Sequence, residues 1–399
     1  MESQQQPRHQ FTFLGRAGEY FGIWIVNILL TVITLGIYSA WAKVRNKQYF
    51  YGNTELAGES FEYLAKPIQI LIGRIIAVIL VLGWLTLPSF HPTIGGLMVL
   101  LFVLATPVLV VRNLRFDARM TRYRNVRFDF VGSYGRAYMV LLVLPLLYFV
   151  GFAIAAGGLT FLAQMSSPWI LGIISIVACG LGLTFIYALI TSQMSQFILN
   201  GYRWGQQQFG AEIGTGRIFK IYLKTAAIGL SGLLVIVAIG VAIFVGSIGI
   251  DFSQLGGLIQ QLNPENLESD LGVHYGLFGA ILAIYISMFL LGWFVSAYLK
   301  ACLRNYQFGE TVLADKLQLN STVKPWAFLA LLLSNLLLTV FSLGLALPLV
   351  KVRYARFMAN ATAIDGDIDQ LTTHNQVDDG NVAIADEVAD AFSIEIGVI

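Results

Sequence analysis

Apolar residues run in eight long blocks along this chain, near residues 20–38, 68–88, 94–111, 138–163, 169–197, 222–249, 276–299 and 326–343. Each block is long enough, at roughly 17–25 residues, to cross a bilayer. Inside them the apolar positions are continuous, so the alternation of a membrane barrel is missing. Each block is therefore expected to be a helix, whose backbone satisfies its own hydrogen bonds in lipid. The segments between the blocks alternate in character. Those after the first, third, fifth and seventh are long and basic, carrying Lys43, Arg45, Lys47 and Lys66, then Arg112 to Arg136, then Arg203, Arg217 and Lys220, then Lys300, Arg304, Lys316 and Lys324. Residues 88–93 and 164–168 hold no lysine or arginine, and the loop after the sixth block is acidic through Asp251, Glu265, Glu268 and Asp270. Basic segments stay in the cytoplasm.

Each basic segment reads as a charged helix that turns into a short polar–apolar alternation. Residues 54–63 and 125–133 show it well, with glycine at the bend, and 208–216 and 311–319 more weakly. Period two broken by a turn residue predicts a β-hairpin. Isolated hairpins are marginal, so these should pool into a small cytoplasmic sheet. The expected fold is all-α and transmembrane, with about eight transmembrane helices and short cytoplasmic β-hairpins between helix pairs. A polar segment (1–19) precedes the membrane domain (20–350), and a basic then acidic tail follows (351–399). In that tail Ile364, Ile368, Ile394 and Ile396 leave room for a short docked strand, and the remainder is expected to be mobile.

The chain also repeats itself. Residues 27–58 resemble 335–366 without a gap, with about a dozen identities in roughly 32 positions, including Asn27/Asn335, Thr31/Thr339, Gly36/Gly344, Lys43/Lys351, Arg45/Arg353 and Gly58/Gly366. The repeat creates a conflict. Eight full crossings put both termini outside, yet Lys351, Arg353 and Arg356 after the last block prefer the cytoplasm. Either the copies are inverted, or one of the terminal blocks fails to cross, with a break at Leu35-Gly36 or Leu343-Gly344.

Composition agrees with a membrane protein: 57% of residues are hydrophobic, 12% are charged, and mean hydropathy is +0.72. The polar first ten residues and the lack of a small-residue cleavage site predict an uncleaved first block. Cys179 and Cys302 offer neither a disulfide framework nor metal-ligand spacing. The runs Thr34-Leu-Gly-Ile-Tyr38 and Trp41-Ala-Lys-Val-Arg45, followed by Asn53-Thr54, Gly58, Phe61 and Tyr63, resemble the signature of the bacterial DUF898 (YjgN-like) inner-membrane proteins. That resemblance covers nearly the whole chain and implies a multi-pass protein of the bacterial inner membrane, with no activity attached. In the second copy Ala346 and Leu349 replace Tyr38 and Trp41.

Four sets of residues stand out, each with two readings. Asn27 and Asn335 lie mid-block, where a buried amide either joins helices or lines a polar pathway. Arg74, two turns into the second block, either snorkels to the headgroups or pairs inside the membrane with a carboxylate such as Glu19. Arg112, Arg115, Arg119 and Arg122 recur at three- and four-residue steps. On a continuous helix they form one stripe, which either fixes topology or binds anionic lipid headgroups or another phosphate. Tyr38, Trp41, Tyr49, Phe50 and Tyr51 form either an interfacial aromatic belt or a groove. No catalytic or metal motif is present, so neither an enzyme nor a cofactor is expected. The arginines have little aromatic interleaving and lie against the membrane, which argues against nucleic acid. The leading expectation is a transporter or channel for a small solute or lipid. Its alternative is a non-enzymatic scaffold or anionic-lipid-binding module with a cytoplasmic protein partner.

Overall fold

A computed structural model describes residues 7–87, 92–166, 169–247 and 271–371. The acidic loop at 251–270 and the tail from 372 onward lie outside the described residues. The fold is not all-α, and it does not have eight spanning helices. Among the described residues six helices are long and apolar enough to cross a membrane: Pro67–Thr86, Thr93–Arg119, Tyr134–Met165, Trp169–Leu199, Thr215–Ile243 and Ile281–Gly309. Beside them stands an eleven-stranded antiparallel sheet.

The terminal apolar blocks depart from expectation because their helices are too short. Helix α1 (Ala17–Ile33) has 17 residues and turns back at once into the polar α2 (Ser39–Gly52). At 1.5 Å per residue, α1 reaches only about 25 Å, less than a hydrocarbon core of about 30 Å. The turn is written into the sequence. Leu35 and Gly36 both adopt positive φ (+50° and +94°), the Gly36 N–H donates back to the Thr31 carbonyl (2.8 Å), and the Thr34 hydroxyl accepts from the Tyr38 N–H (2.9 Å). This is a glycine-ended helix stop followed by a hydroxyl cap for the next helix. At the other end of the chain the same device joins two further short helices, at Leu343 (φ +51°) and Gly344 (φ +89°). There Gly344 N–H donates to the Thr339 carbonyl and Ser342 accepts from Ala346 N–H. The internal repeat is thus a helical hairpin used twice. The tips Leu35 and Leu343 are 94% and 93% exposed, as expected of residues that dip into lipid.

The sheet comprises β1 (Arg8–Gln10), β2 (Thr12–Phe13), β3 (Thr54–Leu56), β4 (Glu59–Tyr63), β5 (Thr121–Tyr123) and β6 (Val126–Phe130). It continues through β7 (Tyr202–Trp204), β8 (Gln207–Ala211), β9 (Thr311–Leu313), β10 (Leu317–Ser321) and β11 (Thr362–Asp365). Each strand pairs with its sequence neighbour from β2 to β11, and β1 pairs with β11. The two outer strands, β1 and β2, are separated only by Phe11, so the sheet closes into a barrel through its own backbone. Closure removes the free edges that a string of short hairpins would otherwise expose. The hairpin at 125–133 is displaced from its expected position. It runs from Thr121 to Phe130 and bends at Arg124 and Asn125, both in the left-handed region (φ +48° and +61°). Consecutive left-handed residues give the turn whose twist matches the strands, and Asn tolerates it. The anticipated docked strand near Ile364 is β11.

Between the hairpins run α3 (Pro67–Thr86), α4 (Pro92–Arg119), and α5 (Tyr134–Tyr138), which passes through a π-helical turn (Met139–Val143) into α6 (Leu144–Ser166). After these come α7 (Trp169–Leu199), α8 (Thr215–Ser247), α9 (Leu271–Gly309), α10 (Pro325–Phe341) and α11 (Leu347–Asn360). Every helix packs on its neighbours, and α1 packs on α11, so the helices form a closed ring. Five small apolar clusters lie where three helices meet one hairpin, around Phe116, Phe130, Ile218, Phe328 and Tyr20, and a sixth fills the barrel. The fifth hairpin is the one assembled from β11 and the N-terminal strands. All the helices spring from one rim of the barrel, and the basic residues cluster on that side, so the barrel is cytoplasmic. Both ends of the described chain lie in the barrel. The two repeats therefore run the same way, and neither crosses the membrane.

Candidate functional site

Strand alternation turns one set of side chains into the barrel. Leu56, Tyr123, Trp204, Leu313, Leu317 and Ile364 are buried there, with Phe11, Phe61, Phe128 and Phe209 packed against them. The rings form a belt: Phe61 stacks on Phe11 (5.9 Å) and on Tyr123 (4.7 Å), Trp204 contacts Tyr123 (5.8 Å) and Phe128 (6.5 Å), and Phe128 stacks on Phe209 (6.5 Å). Their polar tips face the strands. The Tyr123 hydroxyl donates to the Leu56 carbonyl (2.7 Å), and the Trp204 indole N–H donates to the Tyr123 carbonyl (3.3 Å). Satisfied in this way, they leave a lumen of hydrocarbon and ring faces. A cavity of about 160 Å³ remains inside, with Ile368, from the short 3₁₀ turn Ile368–Gln370, among its walls.

Above it, at the rim facing the membrane, lies a second cavity of about 320 Å³. The two share Phe61, Phe128, Phe209 and Leu319 as walls, so they are stacked storeys of one space. The upper storey is bounded by helix ends through Tyr51, Asp117, Leu199 and Phe308, and so opens toward the centre of the helix ring. Thr121 and Thr311 also line it, but their hydroxyls donate to the Asp117 and Gln307 carbonyls (2.9 and 2.6 Å). The polar groups left at the rim are Tyr51, Tyr202 and Asp117, and Asp117 is ion-paired with Lys47. Burial alone would depress the Lys47 ammonium. Asp117, with the Tyr63 and Tyr51 phenols, more than reverses this and holds its pKa above that of an ordinary lysine. Nζ also sits 4.9 Å from the Tyr63 ring centroid. Burial pushes the Tyr202 phenol up, and Asp117 and Tyr51 add to the effect. The rim therefore carries a lysine paired with a carboxylate and two phenols over an apolar shaft. That arrangement can hold an apolar chain, and it offers no activated nucleophile. Among the described residues no group of three His, Cys, Asp or Glu is placed to hold a metal ion.

The residues singled out from sequence fall elsewhere. Buried Asn27 joins the two helices of its hairpin: Nδ2 donates to Asn46 Oδ1 (3.2 Å), and Oδ1 accepts from Arg45 (3.5 Å), which also donates to the Tyr38 hydroxyl (3.1 Å). Asn335 is equally buried but borders a cavity. Arg74 donates to the Ser39 hydroxyl at the start of α2, tying α3 to the first hairpin. The arginine stripe is broken, because α4 ends at Arg119 and Arg122 lies on β5, paired with Glu62 across the strands. Arg115 donates to the Phe130 carbonyl (3.1 Å) and the Tyr134 hydroxyl (3.3 Å), while Arg119 joins Arg203 on buried Asp129 (2.8 and 2.6 Å). These two arginines brace α4 against the barrel. Arg112 lies higher on the same helix. The aromatic group divides as well. Tyr38 stacks on Trp41 (6.0 Å) at the start of α2, Tyr49 bonds the Arg16 backbone and stacks on Tyr20 (5.2 Å), and Tyr51 alone of them reaches the upper cavity. Sequence reasoning missed Lys47, Asp117 and Tyr202 as a group. Two signals were available: Lys47 and Tyr51 lie one helical turn apart, and Asp117 is the sole carboxylate between Arg112 and Arg127.

Relatives of this chain share the membrane setting. Inner membrane protein YjgN of Salmonella typhimurium is 28% identical over 387 residues, covering 94% of this chain and 93% of the relative. Inner membrane protein YjgN of Escherichia coli strain K12 is 27% identical over 384 residues, covering 93% and 92%. No solved structure matches. The family described as "Bacterial protein of unknown function (DUF898)" matches residues 8–391. With six membrane-capable helices among the described residues, near-complete coverage by inner-membrane relatives and a family match over almost its whole length, the chain is a multi-pass inner-membrane protein and belongs to the DUF898 family.

Proposed function

We propose that this protein handles membrane lipid, taking the hydrocarbon chain of a lipid from the centre of the helix ring into the cytoplasmic barrel. The observation that carries this reading is the two-storey apolar space, walled by barrel side chains below and by helix ends at the membrane-facing rim. A lipid chain loses nothing by leaving bilayer hydrocarbon for such a lumen, whereas a polar solute would give up its hydration without a partner. At about 320 Å³ the upper storey falls at the lower end of ligand pockets, which suits one chain better than a whole lipid. Among the described residues no carboxylate lies near the middle of a span, so the reading invokes no ion coupling. A scaffold role for the outer barrel face is less well supported. That face carries ion pairs within the chain, including Glu62–Arg122 and Arg8–Asp365.

Phospholipid carrying a photoreactive diazirine at the end of one acyl chain tests the proposal in proteoliposomes. Adducts are expected on peptides spanning 54–63, 121–130 and 202–211, and Leu319→Trp, which fills the shared wall, should suppress them. Labelling confined to the spans, with none on barrel peptides, would overturn it.

A further inference from the structure

The two copies of the helical hairpin have diverged at one point. In the first, both atoms of the Asn27 amide are engaged, by Asn46 and Arg45. In the second, Tyr354 stands at the position of Asn46, and Arg353, the counterpart of Arg45, donates instead to Ser334 Oγ (2.9 Å). Asn335 is left 5% exposed, with Oδ1 lacking any hydrogen-bond partner. Its neighbour Thr339 offers no donor, because that hydroxyl donates to the Asn335 carbonyl (2.8 Å). A buried acceptor without a donor is costly and calls for an occupant that supplies one.

Asn335 lines a cavity of about 510 Å³. Phe50, Trp293, Leu332, Leu336 and Val350 make its walls apolar, and Lys351 and Tyr354 complete the polar set. Among the described residues Lys351 makes no ion pair. The hairpin that carries the cavity has an apolar tip at Phe341 and Leu343, exposed for insertion into lipid, and a base on the cytoplasmic barrel. The cavity therefore lies between the inner-leaflet headgroups and the hydrocarbon below them.

We infer that this cavity is a binding site for an anionic phospholipid with a hydroxylated headgroup, of the phosphatidylglycerol type. The Lys351 ammonium pairs with the phosphate, a headgroup hydroxyl donates to Asn335 Oδ1, and the apolar walls take the glycerol backbone and the first part of the chains. The first hairpin cannot offer this site, because its own Asn46 and Arg45 occupy the amide. The site is separate from the barrel lumen, and its assignment stands whether or not a chain enters the barrel.

The test is native mass spectrometry of the full-length protein in detergent, titrated with phosphatidylglycerol, phosphatidylethanolamine or soluble glycerol phosphate. The expected result is preferential retention of phosphatidylglycerol, with no retention of glycerol phosphate. Asn335→Leu and Lys351→Met should each weaken that retention about ten-fold, and Asn27→Leu should leave it unchanged. A second readout separates binding from structure. In lipid-free detergent Asn335→Leu should not lower the Tm, since it removes an unsatisfied amide, whereas Asn27→Leu should. Equal retention by wild type and both site variants would overturn the assignment, as would retention of free glycerol phosphate or a destabilising Asn335→Leu.

Discussion

Asp129 is the carboxylate on which the junction between membrane helices and barrel depends, and replacing it should weaken that junction measurably. It is 2% exposed on β6 and receives Arg119 from α4 at 2.8 Å and Arg203 from β7 at 2.6 Å, while Oδ1 also accepts its neighbour Phe130 N–H at 2.9 Å. Burial would raise the carboxyl pKa, but the hydrogen bonds from both guanidinium groups outweigh that and hold it below the usual carboxylate range. Asp129→Asn removes the charge and leaves two part-buried arginines facing each other, a loss of about 3–5 kcal/mol. Glu62→Gln is the control. Glu62 pairs with Arg122 on the same sheet, but its side chain is 53% exposed, so the change should cost about 0–1 kcal/mol. Thermal unfolding in a mild detergent, followed by intrinsic fluorescence, should show a fall of several degrees for Asp129→Asn and almost none for Glu62→Gln. The pH dependence has a fixed sign. A depressed folded-state pKa adds stability above the unfolded value of about 3.9, and that stability is lost as pH falls through the folded value. The gap between wild type and Asp129→Asn should thus be constant from about pH 5 upward and close in stronger acid. Equal stability of the two proteins at pH 7, or a gap that widens on acidification, would refute the reasoning.

Other consequences follow from geometry. Gly201→Ala would place a Cβ 2.2 Å from the buried Phe130 ring and should destabilise by about 1–3 kcal/mol, whereas Gly216→Ala meets nothing within 4 Å and should be neutral or slightly stabilising. Both are read by the same thermal assay. Gly36→Ala and Gly344→Ala force a side chain into left-handed backbone (φ +94° and +89°) and should each lower stability by about 1 kcal/mol, and a loss at only one would break the equivalence of the hairpins. Barrel closure can be trapped chemically. His9 and Ile364 are direct cross-strand partners, so a His9→Cys/Ile364→Cys pair, in a background with Cys179 and Cys302 replaced by Ser, should form a disulfide on mild oxidation. The resulting link between the N-terminal strands and β11 is visible by gel mobility, and its absence would mean an open sheet.

The sequence spoke clearly where a physical signal was local. Hydropathy marked the six helices that, among the described residues, are long and apolar enough to cross a membrane, and period-two runs announced the hairpins. It misled where the signal depended on length and closure. Residues 20–38 are as apolar as a true span, and only the stop at Leu35-Gly36, read together with the polar α2, shows that the chain turns back. The barrel was hidden because its fifth hairpin is split between the chain ends: β11 near the C-terminus and β1 and β2 near the N-terminus are neighbours only in three dimensions. The arginines at 112–122 looked like a helix stripe because three- and four-residue steps persist past Arg119, although β5 begins at Thr121 and turns Arg122 toward Glu62. Asn27 and Asn335 were legible as buried amides, but their different fates were not, since these turn on whether Arg45 or Arg353 reaches the amide.

The lipid-handling account is tested most directly by Trp204. This residue lies inside the cytoplasmic barrel and can be made the sole tryptophan by replacing Trp24, Trp41, Trp84, Trp169, Trp293 and Trp326. Its fluorescence would be recorded in proteoliposomes of phospholipid brominated near the end of the acyl chain, against unbrominated lipid. A chain that enters the barrel brings bromine into contact with the indole, so strong quenching is predicted. Trp204 emission identical in brominated and unbrominated membranes would contradict the account.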